Sequence, residues 1–269
     1  MTITLAIYII LIIVISILVN RKGDANSFLS SSRDRGTWSI MFSKFAGAIS
    51  VSTFISYTAY AYEFGFGIFG LLIGIIVGYV LFGYWAAPKI NELSSANGYI
   101  TQGDFVKHQV NSNKEGRYSN WISALVQFFW IIMSVVGGAK IVNEFDFMSY
   151  ELAIVLMVAV VGIYTIVSGF KAVIVTDIIQ AIIIIVLIVV LVFGMYSEFD
   201  VSTTLEFHES KFDLGKSIGL LLYGGLSVFA LSDRYQLTFA SKSPQAAKKG
   251  MLLSVLPIVL VAAVLLFIG

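Results

Sequence analysis

Small and polar residues recur at helical spacing inside one of the long apolar runs of this chain. Ser43, Ala46, Ser50, Thr53 and Tyr57 follow one another at intervals of three or four residues, which places them on one face of a helix. Oxygen atoms on such a face can bind a cation or a polar solute, and the pattern is typical of a path through a membrane. The same pattern is typical of a surface where two membrane helices pack closely. Both interpretations stay open at this point.

Two charged residues, Lys44 and Asp177, also lie inside apolar runs. Asp177 and Gln180 are about one helical turn apart and point the same way. A charge inside the membrane costs about 2.5–3.5 kcal/mol on insertion scales, so a carboxylate there faces a watery cavity or pairs with a cation. We therefore predict that Lys44 and Asp177 lie close enough for an ion pair, directly or through water. The alternatives are that Lys44 snorkels to the membrane surface and that Asp177 only caps its helix.

Glycines mark two further segments. The run Tyr223-Gly224-Gly225 lies in the middle of an apolar segment, and glycine weakens a helix by about 1 kcal/mol per residue relative to alanine. This run predicts an unwound stretch whose carbonyls and amides bind an ion or a substrate. Gly70, Gly74 and Gly78 instead predict a ridge that packs tightly against another helix.

The composition indicates which elements must position these residues. Of the 269 residues, 58% are hydrophobic and 12% are charged, whereas soluble domains have about 45–50% and about 25%. This excess excludes a cytoplasmic enzyme and a disordered tail, and the net charge of +1 does not suggest a nucleic-acid partner. The apolar runs lack the alternation of β-barrel strands. We predict an all-α, polytopic membrane bundle with eight transmembrane helices, at roughly 3–19, 38–60, 66–88, 119–139, 150–168, 172–195, 216–232 and 250–269.

The connecting segments predict the orientation of these helices. With the N-terminus outside, the segments 20–37, 89–118, 169–171 and 233–249 are cytoplasmic and hold thirteen of the 17 Lys and Arg residues. The opposite side holds three, which is a strong positive-inside signal. The first run has its basic residues after the apolar core, so we predict a retained anchor and not a signal peptide. The last run continues to Gly269 without a polar tail, and we expect a truncated chain.

Four segments resemble motifs of the sodium:solute symporter family. No single segment is decisive, but together they stand in the family's order and at matching topological positions over most of the chain. The third is similar to the family signature GG-x-x-A-V-x-x-T-D-x-x-Q. The segments are Phe28-Leu-Ser-Ser-Ser-Arg33 followed by Trp38, Ala48-Ile-Ser-Val-Ser-Thr-Phe-Ile55, Ser168-Gly-Phe-Lys-Ala-Val-Ile-Val-Thr-Asp-Ile-Ile-Gln180 and Ala240-Ser-Lys-Ser-Pro-Gln-Ala-Ala-Lys-Lys-Gly250.

The resemblance implies the leucine-transporter type of fold in a single transmembrane domain, 1–269. A leading helix at about 3–19 would precede a first repeat of five helices at about 38–195. The start of an inverted second repeat would follow at about 216–269. The chain would then be roughly half of a typical member, located in the cell membrane.

The resemblance also implies roles for particular residues. The family's sodium site takes backbone carbonyls from a helix break, and alignment on Ile49-Ser50 assigns them to Ala46 and Ile49, with Ser50 beside them. The other ligands come from serines on a helix beyond Gly269. Asp177 matches an acidic residue near the inner sodium exit. The residues expected along the substrate or translocation path are Thr53, Tyr57, Gln180, Tyr223, Gly224 and Gly225.

These features favour a sodium-coupled symporter of a small organic solute that works by alternating access, with no cofactor besides the coupling ion. Ala48, where some members have Asp or Asn, and Lys44, close to the sodium site, leave the coupling ion open between sodium and the proton. Removing Asp177 alone is expected to weaken uptake more than removing both charges, because Lys44 would be left uncompensated. The alternatives are a symporter-like sensor domain of a membrane histidine kinase and a non-transporting fragment. The sequence predicts neither the identity of the solute nor any enzymatic activity.

Overall fold

α-Helices form nearly all of the structure, a computed structural model that describes residues 2–20, 33–195 and 201–268. Within these ranges there are twelve α-helices and no strand, although an isolated bridge joins Arg35 to Ser241. The predicted motif that begins at Phe28 lies outside the described residues as far as position 32, as does Gly269. The helices are α1 (Thr2–Asn20), α2 (Thr37–Ala48), α3 (Val51–Phe64), α4 (Phe69–Leu81), α5 (Ala87–Asn97), α6 (Gln102–Val110), α7 (Asn113–Glu144), α8 (Tyr150–Met195), α9 (Val201–Ser210), α10 (Leu214–Ala230), α11 (Ser232–Ala240) and α12 (Pro244–Ile268).

Several helical segments have the length and apolar composition of a membrane span. Four qualify among the described residues, and a fifth qualifies if α10 and α11, which are bent by 44°, form one span. The prediction of an all-α membrane bundle is therefore confirmed, whereas the number of eight spans stays a prediction. The four segments are Val51–Asn97, Asn113–Glu144, Gly169–Met195 and Pro244–Ile268.

The helical backbone is broken at three places in the described chain that matter for the site. Ile49 and Ser50 separate α2 from α3, and both have extended φ/ψ angles, −107°/101° and −121°/172°. Leu231 separates α10 from α11 with angles of −86°/131°. Gly169, inside α8, has a φ of 61° and a ψ of 179°, a conformation that favours glycine. Gly169 therefore bends α8 between the predicted spans 150–168 and 172–195.

The predicted glycine ridge on α4 packs directly against the backbone of α10. A Cβ atom added at Gly74 would lie 2.1 Å from the carbonyl oxygen of Leu221, and one added at Gly70 would lie 2.0 Å from that of Ser217. Side chains at these positions would force the two helices apart. The prediction of a closely packed ridge is confirmed, and its partner is α10.

The predicted unwinding at Gly224 and Gly225 is wrong. α10 is a continuous helix from Leu214 to Ala230, and its break comes later, at Leu231. A Cβ atom at Gly224 would lie 2.6 Å from the carbonyl oxygen of Leu71 on α4. Gly224 is therefore a packing residue of the helix pair, because its missing side chain permits the close contact.

The interior of the described bundle is organised around α12. This helix contacts α2, α3, α4 and α5, and it buries Met251, Ile258 and Leu265 among them. Large apolar side chains remain exposed on the outer faces of α7 and α8, including Trp121 and Phe193. Such faces are typical of helices that contact lipid.

Candidate functional site

The break between α2 and α3 frees backbone groups in the interior of the bundle. The Ile49 amide donates to the carbonyl oxygens of Phe45 and Ala46, each at 3.2 Å, and thereby ends α2. The Ile49 carbonyl, in contrast, accepts none of the backbone hydrogen bonds that turns, loops and helix caps make in the described part of the chain. Ala46 and Ile49 are both buried. The Ile49 carbonyl oxygen is therefore a candidate ligand for a hard cation, whereas the Ala46 carbonyl already accepts the Ile49 amide and has one lone pair left to offer.

Side chains on either side of the break stabilise it. The Thr53 amide donates to Ser50 Oγ at 3.3 Å, and the Ser50 amide donates to Thr53 Oγ1 at 3.2 Å. This reciprocal arrangement is a capping box, which satisfies amides that the start of α3 leaves unpaired. Thr53 Oγ1 also donates to the Ala48 carbonyl at 3.0 Å, across the break. The extended backbone at Ile49 and Ser50 is therefore held by its own side chains.

A cavity of about 460 Å³ lies beside the break. It brings together the predicted sodium ligands Ala46, Ile49 and Ser50 with the predicted path residue Gln180. Gln180 Nε2 donates to the Tyr8 hydroxyl at 2.9 Å, so α1 and α8 are linked at the wall of the cavity. The lining residues are Tyr8, Ala46, Ile49, Ser50, Val51, Phe54, Ile141, Gln180, Ile183 and Ile184.

The cavity wall is mainly apolar, and its polar atoms are few. In the described ranges, no cluster of three His, Asp or Glu side chains could hold a metal ion. The oxygen atoms available to a cation in the cavity would therefore be those of the lining residues, namely backbone carbonyls, the hydroxyl of Ser50 and the amide oxygen of Gln180. This arrangement suits a weakly held, exchangeable ion better than a structural metal.

Asp177 lies next to this cavity and accepts a hydrogen bond from Ser43. Ser43 is one turn from Ala46 on α2, and Asp177 is one turn from Gln180 on α8. The Ser43–Asp177 contact therefore joins the same two helices one turn away from the cavity. A carboxylate thus lies about one helical turn from the residues that line the cavity.

Lys44 pairs with Asp233 of α11, and this finding corrects the predicted direct ion pair between Lys44 and Asp177. The Lys44 side chain is almost fully buried, with 2% of its surface exposed, so it does not snorkel. Arg234 Nη1 donates to the other oxygen of Asp233 at 2.6 Å. Asp177 is instead bonded to Ser43, the neighbour of Lys44 in the chain. The carboxylate whose removal would leave Lys44 uncompensated is therefore Asp233.

The other predicted path residues do not line the cavity. Thr53 is committed to the capping of α3, and Tyr57 packs against the apolar core. Tyr223 has 60% of its surface exposed and faces away from the described bundle. Gly224 and Gly225 lie in the contact with α4.

Two residues of the site escaped the sequence analysis. Asp233 follows the predicted end of a span at 232 and so falls in a predicted loop, whereas in the structure it lies in α11. The signal that could have found it is the pair Asp233-Arg234, two opposite charges placed directly after an apolar run. Tyr8 carries a hydroxyl within the first apolar run. A polar group at that position is itself a signal of a hydrogen-bonding partner inside the bundle.

Comparisons with known proteins point in one direction. The profile of the sodium:solute symporter family matches residues 28–213, well over half of the chain. The sodium/pantothenate symporter of Haemophilus influenzae is 33% identical over 150 residues, which are 54% of this chain and 30% of that protein. The sodium/proline symporter of Staphylococcus aureus strain JH9 is 25% identical over 194 residues, 70% of this chain and 38% of that protein. The chain thus spans about a third of the length of these relatives.

Proposed function

Because the chain belongs to the sodium:solute symporter family, a family of transporters and not of enzymes, we propose that the complete protein containing it is a sodium-coupled symporter. It would move a small organic solute across the plasma membrane by alternating access. The observation that carries this proposal is the broken span at Ile49 and Ser50, since both residues line a cavity between the helices.

We propose the leucine-transporter type of fold with eight spans for this chain and the N-terminus outside. α1 would be the leading helix, the region 38–195 the first repeat, and the region 216–269 the start of the second. Two breaks support this arrangement, one between α2 and α3 and one between α10 and α11. Interrupted spans in corresponding positions of two repeats are typical of secondary transporters.

The sodium ion would bind to the carbonyls of Ala46 and Ile49 beside Ser50. These three residues line the cavity together with residues of α1, α7 and α8. By the family resemblance, the other ligands would come from a helix beyond Gly269. Asp177 would attract the ion as it leaves or enters, because its carboxylate lies one turn from the cavity. Gln180 would line the path of the ion or the solute.

Transport into proteoliposomes tests this proposal on the complete protein that contains the chain. Radiolabelled pantothenate and proline, the solutes in the names of the two relatives, are the probes. An inward sodium gradient should accelerate uptake, and an equal potassium gradient should not. A membrane potential of 100 mV contributes about 2.3 kcal/mol per ion, or about 50-fold accumulation.

Two controls identify the coupling ion. A sodium ionophore should abolish the accumulation, whereas a protonophore applied with the potential clamped should leave it unchanged. Uptake that proceeds equally under sodium and potassium gradients would contradict the sodium coupling. Uptake that collapses only with the protonophore would assign the coupling to protons.

A further inference from the structure

Three charged side chains form a cluster at the junction of α2 and α11. Lys44 is 2% exposed, and Arg234 is also buried. Both pair with the carboxylate of Asp233, one with each oxygen. The ring of Tyr79 on α4 lies 5.9 Å from Lys44 Nζ and 5.5 Å from Arg234 Cζ, and its π face favours both cations. Each of the two buried cations is therefore held by both a carboxylate oxygen and an aromatic ring.

The Lys44–Asp233 pair connects the two broken spans. Lys44 stands five residues before the break at Ile49, and Asp233 stands two residues after the break at Leu231. Two backbone hydrogen bonds connect Arg35, just before α2, with the end of α11 and the segment after it: Arg35 N–H to the Ala240 carbonyl at 3.0 Å and Lys242 N–H to the Arg35 carbonyl at 2.9 Å. These contacts close the bundle at the end where α2 begins and α11 ends.

Lys44 and Asp233 differ in how many oppositely charged partners each has. Asp233 pairs with two cations, Lys44 and Arg234. If the Lys44 ammonium moves away, Asp233 therefore remains paired with Arg234. Asp177 is bonded to Ser43, which is next to Lys44 in the chain. The Lys44 ammonium thus has a second carboxylate within its surroundings. Leaving Asp233 for Asp177 would strand neither a cation nor an anion.

We propose that Lys44 is a positioning residue for alternating access: its ammonium latches α2 to α11 through Asp233 and transfers to Asp177 when the two broken spans separate. The inference rests on the proposed transport function, since it assigns the latch to that conformational cycle. A latch of this kind needs two arrangements of similar free energy, and the two carboxylates provide them. With Lys44 on Asp233, the end of the bundle formed by α2 and α11 is closed.

Thiol labelling tests the latch because the chain contains no Cys. Thr238→Cys, with any cysteine outside these 269 residues replaced by serine, places a single reporter on α11, where Thr238 is fully buried at the closed end. The rate of its reaction with a maleimide, in the complete protein and in sodium-free choline buffer, measures how often this end opens. Lys44→Gln should raise the rate about tenfold. Lys44→Arg, which keeps the charge, should stay within about twofold of the parent.

The second carboxylate supplies the discriminating variant. Asp177→Asn should lower the labelling rate severalfold below the parent, because Lys44 then has no acceptor outside the latch. A merely structural role of Asp177 would leave the rate unchanged or raise it. Lys89→Gln, which removes one charge of an exposed pair with Glu92, is the matched control and should have no effect.

The outcomes separate the latch from the transport function. Equal labelling of the parent and Lys44→Gln would overturn the latch even if uptake is driven by sodium. Labelling that rises with Asp177→Asn would overturn the exchange of partners. If Lys44→Gln does not yield a monodisperse protein, the Lys44→Arg and Asp177→Asn rates still decide. Sodium-independent uptake would contradict symport and leave these labelling results intact.

Discussion

Replacing Gly74 by alanine is expected to destabilise the protein by about 2–3 kcal/mol, because it inserts a methyl group into a backbone contact. The added Cβ atom would lie 2.1 Å from the Leu221 carbonyl oxygen and 3.0 Å from the Gly225 amide nitrogen. Backbone atoms cannot move aside as a flexible side chain would, so α4 and α10 must separate. Thermal unfolding of the purified protein in detergent measures the loss.

Gly219 provides the matched control for this substitution. It lies on α10 as well, but a Cβ atom there would meet no neighbour within 4 Å in the part of the chain that the structure describes. Gly219→Ala should therefore leave the melting temperature unchanged or raise it slightly, since alanine favours a helix more than glycine does. Equal melting temperatures for Gly74→Ala and Gly219→Ala would refute the close contact of α4 and α10.

The second large effect is expected at Asp233. Asp233→Asn removes the carboxylate that Lys44 and Arg234 share, and in the closed arrangement it leaves both buried cations without this counter-charge. Breaking a buried pair in this way costs about 3–5 kcal/mol. Lys44→Gln should cost much less, because Asp233 keeps its bond with Arg234. The order of the two melting temperatures checks this asymmetry.

A double variant separates charge from packing. Lys44→Gln combined with Asp233→Asn should be more stable than Asp233→Asn alone, since the second change removes one of the stranded cations. Glu92→Gln, at the exposed pair with Lys89, should change the stability by less than about 1 kcal/mol. If Lys44→Gln costs as much as Asp233→Asn, the shared carboxylate is not the centre of the cluster.

It could be predicted from the sequence that the fold is a helical membrane bundle, because this depends on the hydrophobicity of neighbouring residues summed along each run. Long apolar runs need no tertiary information to be recognised, and the glycine ridge on α4 has a spacing that only close packing explains. The break at Ile49 and Ser50 was expected from the family resemblance, and the capping box of Ser50 and Thr53 gives it a physical basis. These are features of neighbouring residues.

The partners of the charged residues could not be predicted, since they depend on which helices meet. Lys44 and Asp177 have similar depths, but depth does not specify the rotation of a helix about its axis. Asp233 lies 189 positions from Lys44, and no spacing rule relates them. The adjacent glycines Gly224 and Gly225 are typical of an unwound segment, yet the close contact between Gly224 and Leu71 determines the role of Gly224. In each case a tertiary contact overrides the local signal.

Equilibrium binding of ²²Na⁺ to the complete protein tests the central claim most directly, because it needs no knowledge of the solute. Unlabelled sodium should displace the bound ion, and potassium or choline should not. Ser50→Ala, which removes the cap of the break, should weaken binding about tenfold. Ser112→Ala removes the corresponding cap of α7 and should leave binding unchanged. The absence of saturable, sodium-selective binding, or equal binding by the two variants, would contradict a sodium site at the break.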